Sequence, residues 1–461
     1  MIKTNILNSK LKFALVNLSI TGKKANREHT GGFGSYMTAN GIMGGIISRL
    51  KSALIELPVL SLVYSRSLLT EAGFDVEVIS FGDLPQGTNI AIVINSMHCY
   101  KDELLWIEAQ KKNNPSVKIG VYGPFADSNP QLFLGAVDFI IGGELESAIL
   151  AFINNKHSFL GHLNFGVVED LDILPIPNWD DFDIHKYNYF PLLYKKSVMP
   201  LQSTRGCSFN CDFCPYMVSQ TKIFRRRSPE LIVEEIIFAY KKLGVRSFLF
   251  RDICFTLNKA HAASIAQLLI SKGVKIEWAC ETRLDCLNEG LIDLMYESGL
   301  RGVNLGIETG DNEILKKSGK KNPDIDDQER IISYLKQKKI RINAFYMLGL
   351  SGDTVDSMEN TIRYAQRLNT MGAQFCITTP FPGTPLFENS KKDLLTNDFS
   401  LFTEYIPVLD IKSATPEDVR SAHSRAFKSY YLRLAWFVQY GPILIYRLLI
   451  NIFGSLSNGY K

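Results

Sequence analysis

Cys207, Cys211 and Cys214 stand within eight positions in the run Cys-Ser-Phe-Asn-Cys-Asp-Phe-Cys, a C-x3-C-x2-C spacing directly after the turn Thr204-Arg205-Gly206. Three thiolates this close reach one metal centre. A four-iron cluster takes such ligands, and three of them leave one iron open for a small molecule to chelate. Structural zinc wants four closed ligands, and no fourth Cys or His follows at finger spacing, the nearest downstream being Cys254 and His261. The remaining cysteines, Cys99, Cys254, Cys280, Cys286 and Cys376, are scattered, so the set does not read as a disulfide framework. Cys254, Cys280, Cys286 and Cys376 fall on or near apolar runs and read as small buried hydrophobes. Cys254, at a strand end, is the one placed to face a substrate.

Apolar patterning supplies the scaffold for this loop. Runs at 199–204, 246–251, 275–282, 302–308, 341–349 and 373–380 alternate with amphipathic stretches. They predict six βα units curling into a partial barrel, with chemistry at the strand carboxyl ends. The cysteines follow the first strand, and the next helix is expected at Ser228-Pro229-Glu230, where a capping Ser, a first-turn Pro and an acid favour a helix start. Earlier, apolar runs at 12–18, 75–80, 89–95, 117–122 and 137–141, with helical segments around 50–73 and 102–113, predict a Rossmann-like domain with a doubly covered parallel sheet. Between the two, LPIPNWDDFDIHKYNYFP carries prolines that exclude a long regular element. The expected organisation is α/β: a Rossmann-like domain over 1–155, a linker over 156–197, the partial barrel over 198–388 and a helical region over 389–461.

The 461 residues, 46% hydrophobic and 21% charged, suffice for two such domains. A net charge of +4 with no basic block longer than Arg225-Arg226-Arg227 makes no case for nucleic acid. That triplet reads as a solvated patch or a local anion contact. The opening MIKTNILNSKLKFALVNLS is too briefly apolar for a secretory segment and reads as a strand, which together with the unpaired cysteines fits a reducing cytoplasm.

With the cysteines following the first of six βα units, the chain resembles the radical S-adenosylmethionine (SAM) superfamily over about residues 198–388. Further fragments carry the resemblance: Phe250-Arg251-Asp252 with Phe255, Glu281-Thr282-Arg283, Leu305-Gly306-Ile307-Glu308, Met347-Leu348-Gly349-Leu350 and Pro382-Gly383-Thr384-Pro385. The resemblance implies a [4Fe–4S] cluster on Cys207, Cys211 and Cys214, whose open iron binds SAM, and one-electron reduction of SAM to a 5′-deoxyadenosyl radical by an external reductant. It also implies Phe213 near the adenine, Arg283 on the SAM carboxylate, Glu308 on the ribose hydroxyls and Asp252 as a further SAM contact. It assigns no catalytic residue toward the substrate.

A Rossmann-like domain ahead of such a barrel resembles the cobalamin-binding branch of that superfamily, on Gly123-Pro124 and on Val137-Asp138 leading to Gly142-Gly143-Glu144. The branch implies cobalamin near Gly123, Gly142, Gly143 and Glu144, and radical methylation of a small molecule or lipid. Cyclisation or rearrangement, and a corrinoid sensor with a structural cluster, are the rival readings. Arg27-Glu28-His29-Thr30-Gly31-Gly32 lacks the acid that would orient a cobalt-binding imidazole, so His29 reads as a loop residue. Methylthiotransferases need three more cysteines ahead of the barrel, where only Cys99 is present.

The tail from Leu434 to Phe453 is apolar and aromatic but interrupted by Gln439, Pro442 and Arg447. Either two short helices on the barrel or a segment in a membrane headgroup layer is expected, and not a spanning helix.

Overall fold

A computed structural model describes residues 11–20, 26–27, 29–35, 39, 41–154 and 159–457, with side chains to residue 446. The apolar runs become two parallel sheets. The first has β1 (Lys12–Val16), β2 (Asp75–Ile79), β3 (Ile90–Ile94), β4 (Lys118–Tyr122), β5 (Phe139–Gly142) and β6 (Gly161–Asn164) in the order β2-β1-β3-β4-β5-β6. Every pairing is parallel. Phe13 to Val16 and Ala91 to Val93 are completely buried, as strands covered on both faces must be. Strand order reverses between β1 and its neighbours β2 and β3, so the ligand crevice of this sheet lies beyond the carboxyl end of β1.

Two local expectations shift. The stretch read as linker supplies β6, which pairs with β5 through Gly161 to Asn164. The helix expected over 50–73 is two helices, α1 (Gly41–Leu54) and α2 (Leu60–Glu71), parted by Ile55–Glu56 and Pro58. Proline has no amide to continue the ladder and biases its predecessor to extended backbone, so the chain turns there. Helices α3 (Tyr100–Asn113) and α4 (Leu145–Ile153) complete this unit.

The second sheet carries β7 (Val198–Leu201), β8 (Ser247–Phe250), β9 (Glu277–Thr282), β10 (Leu300–Glu308), β11 (Arg341–Leu348) and β12 (Gly372–Ile377) in sequential order, all parallel. It is wrapped by α5 (Pro229–Lys242), α6 (Lys259–Ser271), α7 (Glu289–Glu297), α8 (Ile325–Gln337) and α9 (Val355–Leu368). Because β7 and β12 do not pair, this is the open six-unit barrel expected. Helix α5 begins at Pro229 as read, although Ser228 spends its hydroxyl on Asp172 and not on a cap.

Two helices end the described chain, α10 (Pro416–Tyr431) and α11 (Leu434–Ser457). The tail is one helix, not two: Pro442 lies inside it. Trp436 and Tyr440 tie it to the barrel through the Met371 and Asn369 carbonyls at 3.1 and 2.8 Å. No helix among the described residues is long and apolar enough to cross a membrane.

Candidate active site at the barrel mouth

The cysteine loop leaves β7 and is clamped from three sides. Gly206 has a left-handed φ of +81° and lies against the Ile223 carbonyl, where a side chain would collide. The Asp212 amide donates to the Ser318 carbonyl at 3.0 Å, and the Leu386 amide donates to the Asp212 carbonyl at 3.1 Å. Loops after β10 and β12 therefore fix the loop after β7.

All three thiols are held above their ordinary value of 9.0, chiefly by burial, and Cys214 is pushed up to about 12. Cys207 and Cys211 each raise Cys214, so the three crowd one another, while Lys320 and Arg283 draw Cys211 down. A multi-metal cation would relieve that crowding. Among the described residues no three His, Cys, Asp or Glu side chains converge on one ion position. A four-iron cluster, unlike a single zinc, would take each of the three thiolates on a different iron.

These cysteines line a cavity of about 1540 Å³ together with Phe213, Arg283 and Glu308. Its volume exceeds the roughly 300–1,000 Å³ of ordinary small-molecule pockets, so more than one ligand fits at once. Arg283 lies 3.7 Å over the Phe209 ring, donates to both Asp285 oxygens at 2.9 and 2.8 Å, and reaches Cys211 Sγ at 3.7 Å. Glu308 has a left-handed φ of 69° where the β10–β11 register slips, and accepts from Lys320 Nζ at 2.5 Å. Such backbone strain in a non-glycine residue is typical of sites that must aim a side chain. Asp252 is fully buried and does not line the cavity. It accepts from the Ser203 and Thr204 hydroxyls at 2.7 and 2.6 Å, bracing the backbone that leads into the loop.

The same cavity reaches Asn17, Leu18, Ser19 and Ile20 beyond β1, where the strand order reverses. The imidazole of His29 lines it, with Nε2 buried and without a hydrogen-bond partner. Burial, with Arg251 and Lys51 nearby, holds this ring well below 6.5, hence neutral. Arg27 does not orient it, being spent on Glu103 at 2.8 Å and Asn17 at 3.1 Å.

Gly123, Gly143 and Glu144 line a separate recess of about 90 Å³, and the backbone accounts for each. A side chain at Gly142 would strike Asp127, and one at Gly143 would strike Gly166. Glu144 pairs with Arg205 at 3.1 Å and with Arg225 at 2.9 Å, and Glu146 pairs with Arg205 at 2.7 Å. Of the basic triplet read as a solvated patch, Arg225 and Arg227 are in fact buried, the latter on Glu235 at 2.5 Å. Only Arg226 is exposed.

Residues 201–365 match the Radical SAM superfamily. The barrel is a radical SAM domain. The chain is 28% identical over 411 residues to an uncharacterized methyltransferase of Pyrococcus horikoshii, covering 82% of the chain and 88% of that relative. It is 26% identical to the anaerobic magnesium-protoporphyrin IX monomethyl ester cyclase of Rubrivivax gelatinosus, over 72% of the chain but only 64% of the relative. Its fold is similar to that of the radical SAM methyltransferase TsrM of Kitasatospora setae, solved with cobalamin and a [4Fe–4S] cluster bound: TM-score 0.59, 14% identity, 83% of this chain and 78% of that one.

Sequence reasoning missed a polar group in the wall of the radical SAM cavity. Lys51 donates to Gln374 at 2.7 Å, and Gln374 donates to Tyr405 and, at 3.7 Å, to Cys376. Beside them Glu404, also at a left-handed φ of 65°, has no side-chain hydrogen bond or ion pair among the described residues. Burial pushes its carboxyl up to about 7, Lys51 opposing and Glu308 adding to the shift. Cys376 and Cys254 both line the cavity, although Cys254 is also buried, as its reading as a small hydrophobe expects. No local signal marks this group, since its members come from α1, β12 and the loop after it.

Proposed function

We propose that this chain is a cobalamin-dependent radical SAM methyltransferase acting on an unactivated carbon of a small-molecule or lipid substrate. One observation carries the reading: a single cavity joins the cysteine triad to the ligand edge of the first sheet. When bound, the cluster with SAM and an external one-electron reductant supplies a 5′-deoxyadenosyl radical, and cobalamin supplies the methyl group. The residues position these groups and exclude water. Cys207, Cys211 and Cys214 hold the cluster; Phe213, Arg283 and Glu308 shape the SAM side of the cavity; Asp252 braces the loop from beneath.

On the cobalamin side, residues 1–155 together with β6 hold the corrinoid, the rest of 156–197 makes the connection, 198–388 the barrel and 389–461 the helical region. Gly123, Gly142 and Gly143 keep the sheet edge free of side chains, and Glu144 ties that edge to the barrel. The free cysteines suit a reducing cytoplasm, and helix α11 suits a tail resting on a membrane surface. Similarity to a cyclase keeps ring closure as the second reading.

The test is anaerobic reconstitution with iron, sulfide, cobalamin, SAM and a reductant. Formation of 5′-deoxyadenosine, and products in cell extract heavier by one methylene, support the reading. Products of unchanged carbon count would select cyclisation, and no 5′-deoxyadenosine would leave a corrinoid sensor.

A further inference from the structure

Among the described residues, nine of the twenty exposed large hydrophobic side chains lie on just two helices, α1 and α11. On α1, Ile42, Ile46 and Leu50 repeat every four residues and form one outward stripe, Ile42 being 86% exposed. On α11 the outward residues are Leu434, Phe437, Val438, Ile443, Ile445 and Tyr446. The two helices are far apart in sequence but share a support: α1 packs on α10, with Gly41 against Ser424, and α11 follows α10 directly. A patch of this kind is rarely left bare on a monomeric protein.

Charge and side-chain type name the occupant. No Asp or Glu occurs from Gly41 to Ile55 or from Val419 to Lys461, whereas Arg49 and Lys428 are exposed beside the stripes. A cation-only rim around aliphatic residues matches a bilayer with anionic headgroups, where the exposed Tyr446 suits the wet boundary while Trp436 and Tyr440 hold the helix to the barrel. The α1 stripe runs onto the edge of the active-site cavity, which Ile46 and Leu50 line beside Ile47, and α11 reaches the same cavity through Trp436 and Leu444.

We propose that α1 and α11 together form a bilayer-docking rim around the cavity mouth, through which an apolar lipid substrate enters without crossing water. The proposal rests on the methyltransferase reading for what happens inside the cavity, and on the two exposed stripes for the docking itself. Helix α1 is as necessary to it as the tail.

Co-sedimentation of the full chain with vesicles of mixed phosphatidylcholine and phosphatidylglycerol tests the rim. The wild-type chain pellets, less so at high salt or with phosphatidylcholine alone. Ile42→Glu on α1, and Phe437→Glu with Val438→Glu on α11, each lower the bound fraction by at least about tenfold, because a charge replaces buried apolar surface. None of the three lines the cavity, so 5′-deoxyadenosine formation in the same preparations stays at the wild-type level. A wild-type chain that remains in the supernatant, or α1 variants that pellet like wild type, overturn the proposal. So does a dimer in sedimentation velocity that Ile42→Glu dissociates, since a second copy then covers the patch. Vesicle binding with no SAM cleavage would instead sink the enzymatic reading and leave the rim standing.

Discussion

Two of the buried polar regions in this molecule are built oppositely. At the seam between the sheets Glu144, Glu146, Arg205 and Arg225 answer one another, and Arg225 also donates to the Val168 carbonyl at 2.7 Å. In the cavity, among the described residues, Glu404 has no partner, Lys51 has an uncharged amide, and Nε2 of His29 has none. Buried charge that is fully paired holds structure, whereas buried polar groups left open toward a cavity await a ligand. The seam ties the Rossmann-like edge to the barrel through Glu144 and Glu146 on Arg205 and Arg225.

The largest effect is expected where the cavity meets the cysteine loop. Cys211→Ala should abolish SAM cleavage and leave an incomplete cluster by iron and sulfide analysis, because two thiolates are too few to hold four irons. A full cluster with cleavage retained would break the assignment of this wall.

At the seam, Arg205→Ala leaves Glu144 and Glu146 short of a buried cation, and a loss of about 3–5 kcal/mol in urea unfolding is expected. Acid should act in the same place. Burial raises the Glu144 carboxyl, but Arg205 and Arg225 outweigh it and hold the group below its ordinary 4.5. Its stabilising contribution is therefore complete at neutral pH and disappears as pH falls through that depressed value. Glu144→Gln should be less stable at neutrality and lose less on acidification; identical acid curves would show the seam to be insensitive to that charge.

Glu404 should sharpen the contrast from the cavity side. Its carboxyl, pushed up to about 7, binds a proton more tightly folded than unfolded, so its ionisation lowers stability as pH rises from 4.5 toward about 7. In turnover, KM for the substrate should carry an inflection near that value, which Glu404→Gln removes and Lys51→Met moves alkaline by deleting the opposing cation. An inflection unmoved by either change would assign it to another group.

The smallest effect concerns His29. With Arg27 spent on Glu103, nothing orients the imidazole toward a metal, so corrin absorbance should survive His29→Ala with cobalt resonance free of imidazole nitrogen splitting in both forms. Loss of bound cobalamin in that variant would move His29 from the cavity wall to the cofactor.

Much of this was legible along the chain. The C-x3-C-x2-C spacing is local, and a period-two or continuous apolar run tells its own strand, so both sheets and the loop that follows β7 could be read before any folding. The break at Pro58 and the continuous helix through Pro442 were not, since a proline reports a missing amide but not whether neighbouring packing will carry the helix past it. The roles of charged residues were less legible still. Arg225 and Arg227 look like any basic run until Glu144 and Glu235 are brought to them, and Lys51, Gln374 and Glu404 meet across more than three hundred positions. Whether a charge is solvated, paired or left open depends on distance and burial, which only the tertiary structure sets; residue spacing sets what can bond locally, and that is why the cysteine loop was readable and the cavity wall was not.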